Sequence, residues 1–315
     1  MSTSGVIVVD KPRGPTSHDV VAWVRKALGT RQVGHAGTLD PMATGVLVVA
    51  VDEATKLVQW LTSSDKTYEA TIRLGVETDS LDAEGRETMQ KDVPADVLAE
   101  LGNIEVTTGN IDVTAGFPRL AEALAAERTR TEQIPPAFSA IRVGGARSHV
   151  LARRGEAPDL ESRTVEVRRL DVTGASASPP ELRLVLEVTK GYFVRSLARD
   201  LALALGTLGH LTSLRRTRAG AFGLEDAYPL VDLEKTAAPL TVIPLDVAAA
   251  RALPVSTLTE AGIADAMQGR RVKPSDLESP HPCASAWLDA AGALVAVGES
   301  MPDGSGRVLR GFRRA

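Results

Sequence analysis

Fifteen residues from Val33 to Leu47 hold the groups best suited to chemistry. They read Val-Gly-His-Ala-Gly-Thr-Leu-Asp-Pro-Met-Ala-Thr-Gly-Val-Leu, so His35 and Asp40 share a stretch with Gly34, Gly37 and Gly45. An ionised carboxylate can attack an electrophilic carbon or take a proton from it, and an imidazole can exchange a proton or stack on a base. Glycines let the backbone approach a ligand closely. The same residues also suit a plain turn, because Asp-Pro pairs start turns and an aspartate there commonly bonds its own backbone. Taken alone, the stretch leaves Asp40 as either a turn residue or a nucleophile.

A second group is Lys190-Gly191-Tyr192-Phe193-Val194-Arg195, which sets an arginine at the start of a helical pattern. Helix starts disfavour cations, so an arginine there gains from a partner. Arginines also crowd one segment (Arg142, Arg147, Arg153, Arg154, Arg163, Arg168 and Arg169, with His149 among them) and recur at Arg215, Arg216 and Arg218. A solvated face accounts for any one of them. Clusters this dense in an acidic chain suit a phosphate-bearing partner.

The elements around these groups must position them. Val6-Ile7-Val8-Val9 predicts a short buried strand over Gly5–Asp10. The turn-rich Lys11-Pro12-Arg13-Gly14-Pro15 follows, and Thr16 or Ser17 caps a helix that carries Val20, Val21, Val24 and Leu28 and ends at Gly29. The glycine-bearing loop feeds a strand over Val46–Val51, then a short helix over Glu53–Leu61 and a strand over Thr67–Leu74. Glu77–Asp92 is acidic and irregular; Asp79, Asp82 and Glu84 are spaced roughly as in a calcium loop, but the glutamate that closes such a loop is missing. Helices are expected over Pro94–Leu101 and Arg119–Arg128. Between them Glu105–Thr114 has no clear form, and Pro135-Pro136 stops the helical region. Ala140–Val143 with Gly144-Gly145 suggests a hairpin. Thr164–Val172 and Glu181–Thr189 read as strands joined by a loop over Gly174–Pro180. Lys190–Arg195 ends the second of these, before a helix Ser196–Leu205 and a strand over Gly209–Arg218. Ala237–Pro254 reads as a linker. The tail then shows a helix over Thr259–Met267 and strands at Ser285–Asp289, Ala293–Glu299 and Arg307–Phe312.

The bulk properties set outer limits. A chain of 315 residues has room for two domains, and 43% hydrophobic with 24% charged residues suits a soluble globular protein. A net charge of −4 does not advertise a nucleic-acid binder, although a local basic groove is enough to track phosphates. The single cysteine, Cys283, excludes an internal disulfide framework and fits a reducing cytoplasm. The apolar run Val6–Val9 is too short for a signal peptide, and no stretch approaches the length that spans a bilayer.

Several segments, in order, resemble the TruB family, the bacterial tRNA pseudouridine-55 synthases. They are Gly5–Gly14 with Thr16-Ser17, Gly34–Leu47, Glu53-Ala54-Thr55-Lys56, Asp65-Lys66-Thr67-Tyr68 and Gly75–Gly85. The match continues through Ile134–Ala140, Ala152-Arg153-Arg154-Gly155, Lys190–Arg195 and Leu214-Arg215-Arg216-Thr217. The resemblance spans roughly the first three quarters of the chain, and the long block around Asp40 is hard to meet by chance. It implies an α+β pseudouridine-synthase fold with a central mixed, mostly antiparallel sheet flanked by helices. Residues 1–240 would be the catalytic domain, and residues 250–315 a small β-rich, PUA-like RNA-binding domain.

The resemblance makes Asp40 the catalytic aspartate and Arg195 the arginine that pairs with it. Tyr68 stacks on the target base, and His35 enters the RNA loop from which the uridine is flipped. Asp82 stands where the family contacts the uracil, and Lys11 contacts RNA or braces the loop. Arg147, Arg153, Arg154, Arg215 and Arg216 face RNA. No metal or organic cofactor is required. The implied partner is the T-arm of tRNA, met by a monomer in the cytoplasm without any membrane. The sequence departs from the family pattern at Phe193, where Tyr is usual, and again at Phe138. Phenylalanine stacks but carries no hydroxyl for a proton transfer. Tyr192, one residue earlier on an expected strand, would point to the other face. The rival reading is a tRNA-binding or folding protein on the same scaffold without catalysis. An aspartate-nucleophile hydrolase fits poorly, since Pro41-Met42-Ala43 follows Asp40 without a second acidic residue.

Overall fold

Val6-Ile7-Val8-Val9 and Val46–Val51 are apolar at every position rather than at alternate ones. In the structure, a computed structural model, none of these side chains is more than 2% exposed, so both faces of both strands are covered. The structure describes residues 4–104, 109–139, 141–156, 159–230 and 240–313. By packing, the chain divides into two units. The first comprises Met1–Asp40, Gly45–Ser63 and Ala219–Ala315, the second Pro41–Thr44 and Ser64–Arg218.

In the first unit, Thr44–Val51 pairs antiparallel with Gly5–Lys11, placing Gly5 opposite Val51 and Lys11 opposite Gly45. It also pairs with a short strand, Val33–His35, that the loop expectation did not include. The helix Ser17–Leu28 starts at a full capping box. The Thr16 hydroxyl accepts from the Asp19 amide, and the Asp19 carboxylate accepts from the Thr16 amide. It stops at Gly29, whose φ of 65° is the left-handed conformation glycine adopts without cost.

Of the expected linker Ala237–Pro254, residues 237–239 lie outside the described residues, and Leu245–Ala252 is a helix. Its run of alanines favours helix, while Pro244 sits at the N-cap and Pro254 lies past the end, both outside the turns a proline would break. Ala248 and Ala249 are fully buried in one core with Val6, Val8, Val46 and Val48, and with Leu294 and Val297 of the tail. The tail strands run in the order Leu277–Glu278, Val255–Leu258, Ser285–Leu288, Leu294–Ser300, Gly306–Gly311. They enclose a second core around Trp287, Leu258 and Val295. A Cβ on Gly298 would lie 2.2 Å from the Trp287 ring and one on Gly306 would lie 2.7 Å from it, so both strands need glycine there.

In the second unit the strand order is Val167–Ala177, Pro180–Val188, Lys66–Leu74, Gly209–Ala219. The first three run antiparallel, with Lys66 opposite Val188 and Arg73 opposite Glu181. The last runs opposite to Lys66–Leu74, because the Thr212 hydroxyl reaches the Thr71 carbonyl and Thr217 reaches that of Thr67. Alternate residues Leu182, Leu184, Leu186 and Val188 are buried, the pattern of a strand with one core face. The helices Ala95–Gly102 and Pro118–Arg128 pack on Val167–Ala177, and Val194–Ala204 packs on Pro118–Arg128.

Three expectations need correction here. Gly174–Pro180 is mostly strand: a bulge between Val172 and Gly174 takes up Thr173, Gly174 pairs with Arg183, and pairing runs to Ala177 opposite Pro180. Glu77–Asp92 contains a hairpin, Val76–Thr78 with Glu87–Gln90. Lys190–Arg195 is not a strand end. The strand stops at Val188, Gly191 turns the chain with φ of 87°, and the helix begins at Val194. Of the piece Glu105–Thr114, residues 105–108 lie outside the described residues. Ile111 forms a bridge to Val172.

Candidate active site

The glycine-bearing loop leaves Val33–His35 and re-enters strand at Thr44. The Ala36 amide still donates to the Val48 carbonyl, 2.8 Å away, and Gly37 (φ 96°) and Gly45 (φ 100°) supply the left-handed turns. Next to Asp40, Leu39 is buried and both its backbone polar groups end on one hydroxyl. Ser17 Oγ accepts from the Leu39 amide at 2.9 Å and donates to the Leu39 carbonyl at 3.0 Å. A hydroxyl can do both at once, since it carries one hydrogen and two lone pairs. Asp40 itself is half-buried. His35 is also half-buried, and its ring meets that of His18 edge to face, with centroids 5.3 Å apart and planes at 78°. The Arg25 guanidinium ties the helix to the loop's first strand through the Val33 carbonyl. Lys11 is fully buried, and its ammonium donates to the carbonyls of Pro12 and Pro15, both at 2.9 Å. Both bonds lie within the turn that Lys11 itself begins.

The second unit holds the other expected residues. Tyr68 is half-buried on Lys66–Leu74, opposite Leu186. Arg195 and Asp82 come together: both are buried, Arg195 Nη1 lies 3.5 Å from Asp82 Oδ2, and it donates to the Ser80 carbonyl at 3.0 Å. The cation near the helix start is thus offset by a carboxylate. Asp82 Oδ1 accepts from the Ser80 hydroxyl at 2.6 Å and from the Glu84 amide at 3.0 Å. Those bonds orient Asp82 within its turn, and both fall on Oδ1.

The turn before Arg195 is held from both sides. Gln133 accepts from the Phe193 amide at 2.8 Å and donates to the Phe193 carbonyl at 3.2 Å, leaving the half-buried ring to be aimed by a fixed backbone. The Tyr192 hydroxyl donates to Glu127 Oε1 at 2.7 Å, and Arg130 donates to Glu127 Oε2 at 2.7 Å. Burial, reinforced by the Glu127 carboxylate, raises the Tyr192 phenol well above its ordinary range. The Tyr192 hydroxyl is therefore committed to this network, for a reason other than strand alternation.

Arg216 and Lys66 are both buried, and Arg215 Nη1 stands 3.5 Å from the Thr44 hydroxyl. Burial, and then the charge of Arg216, lowers the Lys66 ammonium to about 8. Arg153 and Arg154 are exposed at the end of the short helix Ser148–Arg153. The side chain of Arg147 lies outside the described residues.

Reasoning from the sequence missed Ser17 as a loop brace, His18, Gln133 and Glu127. For Ser17 the available signal was its place beside the cap. Nothing local marks Gln133 or Glu127.

Comparison with known proteins adds the following. A family model described as TruB family pseudouridylate synthase (N terminal domain) matches residues 25–194. Another, the tRNA pseudouridylate synthase B C-terminal domain, matches residues 195–242. The tRNA pseudouridine synthase B of Mycobacterium sp. (strain KMS) is 43% identical over 283 residues, covering 89% of this chain and 88% of that one. The tRNA pseudouridine synthase B of Thermobifida fusca (strain YX) is 44% identical over 282 residues, 88% of this chain and 89% of that one. A chain from a solved Cbf5-Nop10-Gar1 complex aligns with a TM-score of 0.66 at 26% identity, covering 99% of this chain and 84% of that one. A chain from an H/ACA RNP bound to a substrate RNA containing 2'-deoxyuridine gives a TM-score of 0.69 at 24% identity over 99% of this chain and 86% of that one, a likeness of fold.

Proposed function

The chain belongs to the TruB family of pseudouridylate synthases, and on that premise we propose that it converts uridine to pseudouridine in tRNA. We take its target to be position 55 of the T-loop, its partner to be the T-arm, and its working form to be a cytoplasmic monomer. Within it, residues 1–240 would be catalytic and 250–315 a PUA-like RNA-binding domain. Membership over most of the chain, with Asp40 intact in the family's longest motif, is the observation that carries the reading.

The reaction breaks the bond from ribose C1′ to uracil N1, turns the base and closes a bond from C1′ to C5. A proton leaves C5 and one is gained at N1, so the product is an isomer and no electrons are exchanged. A stacked base has to be extruded first, and His35 enters the space it leaves. Tyr68 then stacks on the base. Asp40 attacks covalently or strips a ribose proton to give a glycal; either route needs an ionised carboxylate. Phe193 has no hydroxyl, so the C5 proton passes to water or to another group. The exposed Arg153 and Arg154 meet phosphates, as does Arg215.

The test is to map pseudouridine in a T-arm stem-loop after incubation with wild type and with Asp40→Asn. Wild type should modify one uridine without added metal. Asp40→Asn should make none while binding tRNA within a few fold of wild type. Substantial turnover by the variant would remove Asp40 from its role. Binding without pseudouridine formation by wild type would favour a non-catalytic tRNA-binding protein.

A further inference from the structure

We propose that the first turn of the helix Ser17–Leu28 is a two-point clamp on the catalytic loop, with Ser17 setting where Asp40 sits and His18 setting the ring of His35. The inference rests on the assignment of Asp40 and His35 made above. It concerns residues that neither the comparisons nor the motif reading gave a part in the reaction.

Ser17 is 1% exposed and Leu39 is 3% exposed. Buried backbone groups need partners, and both polar groups of Leu39 find theirs in the same hydroxyl. Leu39 is covalently next to Asp40, so whatever fixes the Leu39 peptide units fixes the start of the Asp40 backbone. The hydroxyl is itself fixed from behind. Thr16 and Asp19 close the helix start through reciprocal bonds, so the turn that carries Ser17 has its own lock. A loop rich in glycine has little stiffness of its own, and a catalytic group displaced by about 1 Å can lose about a hundredfold in rate. The brace therefore supplies order where the glycines remove it.

His18 is the next residue on the same turn and is exposed. Its ring stands edge-on to His35 at 5.3 Å. An edge-to-face pair fixes the tilt of a ring without enclosing it. That is what a side chain needs if it must meet RNA in one orientation. The two contacts thus reach opposite ends of the loop, His35 at its entry and Leu39 just before Asp40, from consecutive residues.

The two arms of the clamp predict different kinetic faults. Ser17→Ala orphans the Leu39 peptide groups and should lower kcat by about 10- to 100-fold with KM within threefold of wild type. Ser17→Cys, which keeps the shape but bonds weakly, should fall between and carries the test if Ser17→Ala does not fold. His18→Ala should raise KM for the stem-loop several-fold with kcat within twofold, and His18→Phe should restore KM by restoring a ring. Fluorescence of a 2-aminopurine placed beside the target uridine should report weakened base extrusion in His18→Ala alone. Kinetics equal to wild type in both Ser17 variants, or a KM in His18→Phe as poor as in His18→Ala, would overturn the clamp. If wild type is active and Asp40→Asn is dead while these variants behave as wild type, only the clamp fails. If wild type forms no pseudouridine, the clamp and the functional reading fall together.

Discussion

The two backbone turns that present Asp40 and Phe193 are held by opposite means. The Asp40 loop is braced by near neighbours in the chain: Ser17 reaches Leu39 across 22 residues, and the flanking strands Val33–His35 and Thr44–Val51 pair with each other. At Leu39 the bracing group is a neutral hydroxyl. The Lys190–Arg195 turn is braced by distant and charged partners. Gln133 is 60 residues from Phe193, Glu127 is 65 from Tyr192, and Ser80 is 115 from Arg195. A neutral local brace costs little to bury and constrains a short piece of chain. A buried carboxylate must keep every partner, because the group left behind loses its solvation as well as its bond.

That difference can be broken experimentally. The largest effect is expected at Glu127, which is 2% exposed. Glu127→Ala leaves the Tyr192 hydroxyl buried without its acceptor and Arg130 without its nearest carboxylate. It should cost about 2–3 kcal/mol in denaturant unfolding. A cost well under about 1 kcal/mol would mean that the turn is not held through this network. Next comes Lys66, in the same unit. Its folded pKa of about 8 lies below the ordinary lysine value of 10.5, so the unfolded chain holds the proton more tightly. Stability should therefore rise as pH increases from about 8 toward 10.5, by at most on the order of 1 kcal/mol per pH unit, and Lys66→Met should flatten that slope. An unchanged slope in Lys66→Met would show that burial of this charge carries no penalty.

On the other side of the comparison, Thr16→Ala removes the cap that locks the turn bearing Ser17. The loss should be about 1 kcal/mol by thermal unfolding, and a loss near zero would show that Ser17 is held without the cap. The smallest effect belongs to Phe193→Tyr. The backbone is fixed by Gln133 whatever ring it carries, so stability should stay within about 0.5 kcal/mol. Pseudouridine formation should be kept or raised. A large fall in rate would mean that the surroundings of this ring are packed for phenylalanine.

The same contrast separates what the sequence revealed from what it concealed. The Thr16 cap, the stop at Gly29 and the strand at Val46 are written in consecutive residues, and they stand within two residues of where the sequence placed them. So do the tail helix Glu260–Met267 and the strands around Trp287. Ala237–Pro254 read as a linker, but Pro244 and Pro254 bound a helix, Leu245–Ala252. At Gly174 a turn-forming residue is paired with Arg183 just past a bulge, so pairing overrides local preference. Asp40, Arg195 and Tyr68 are candidates because a motif names them. Glu127 and Gln133 had no local mark, since a helix glutamate and a strand glutamine acquire their meaning only from residues about sixty positions away.

The commitment of Tyr192 to Glu127 also gives the protein an internal optical reporter. The chain has three tyrosines, and this one is buried with its hydroxyl on a carboxylate that resists a second negative charge beside it. Its phenolate absorbance should emerge late in an alkaline jump, at the rate at which the Lys190–Arg195 turn opens. The timing of that signal would turn a static hydrogen bond into a clock for the motion of the segment that carries Phe193.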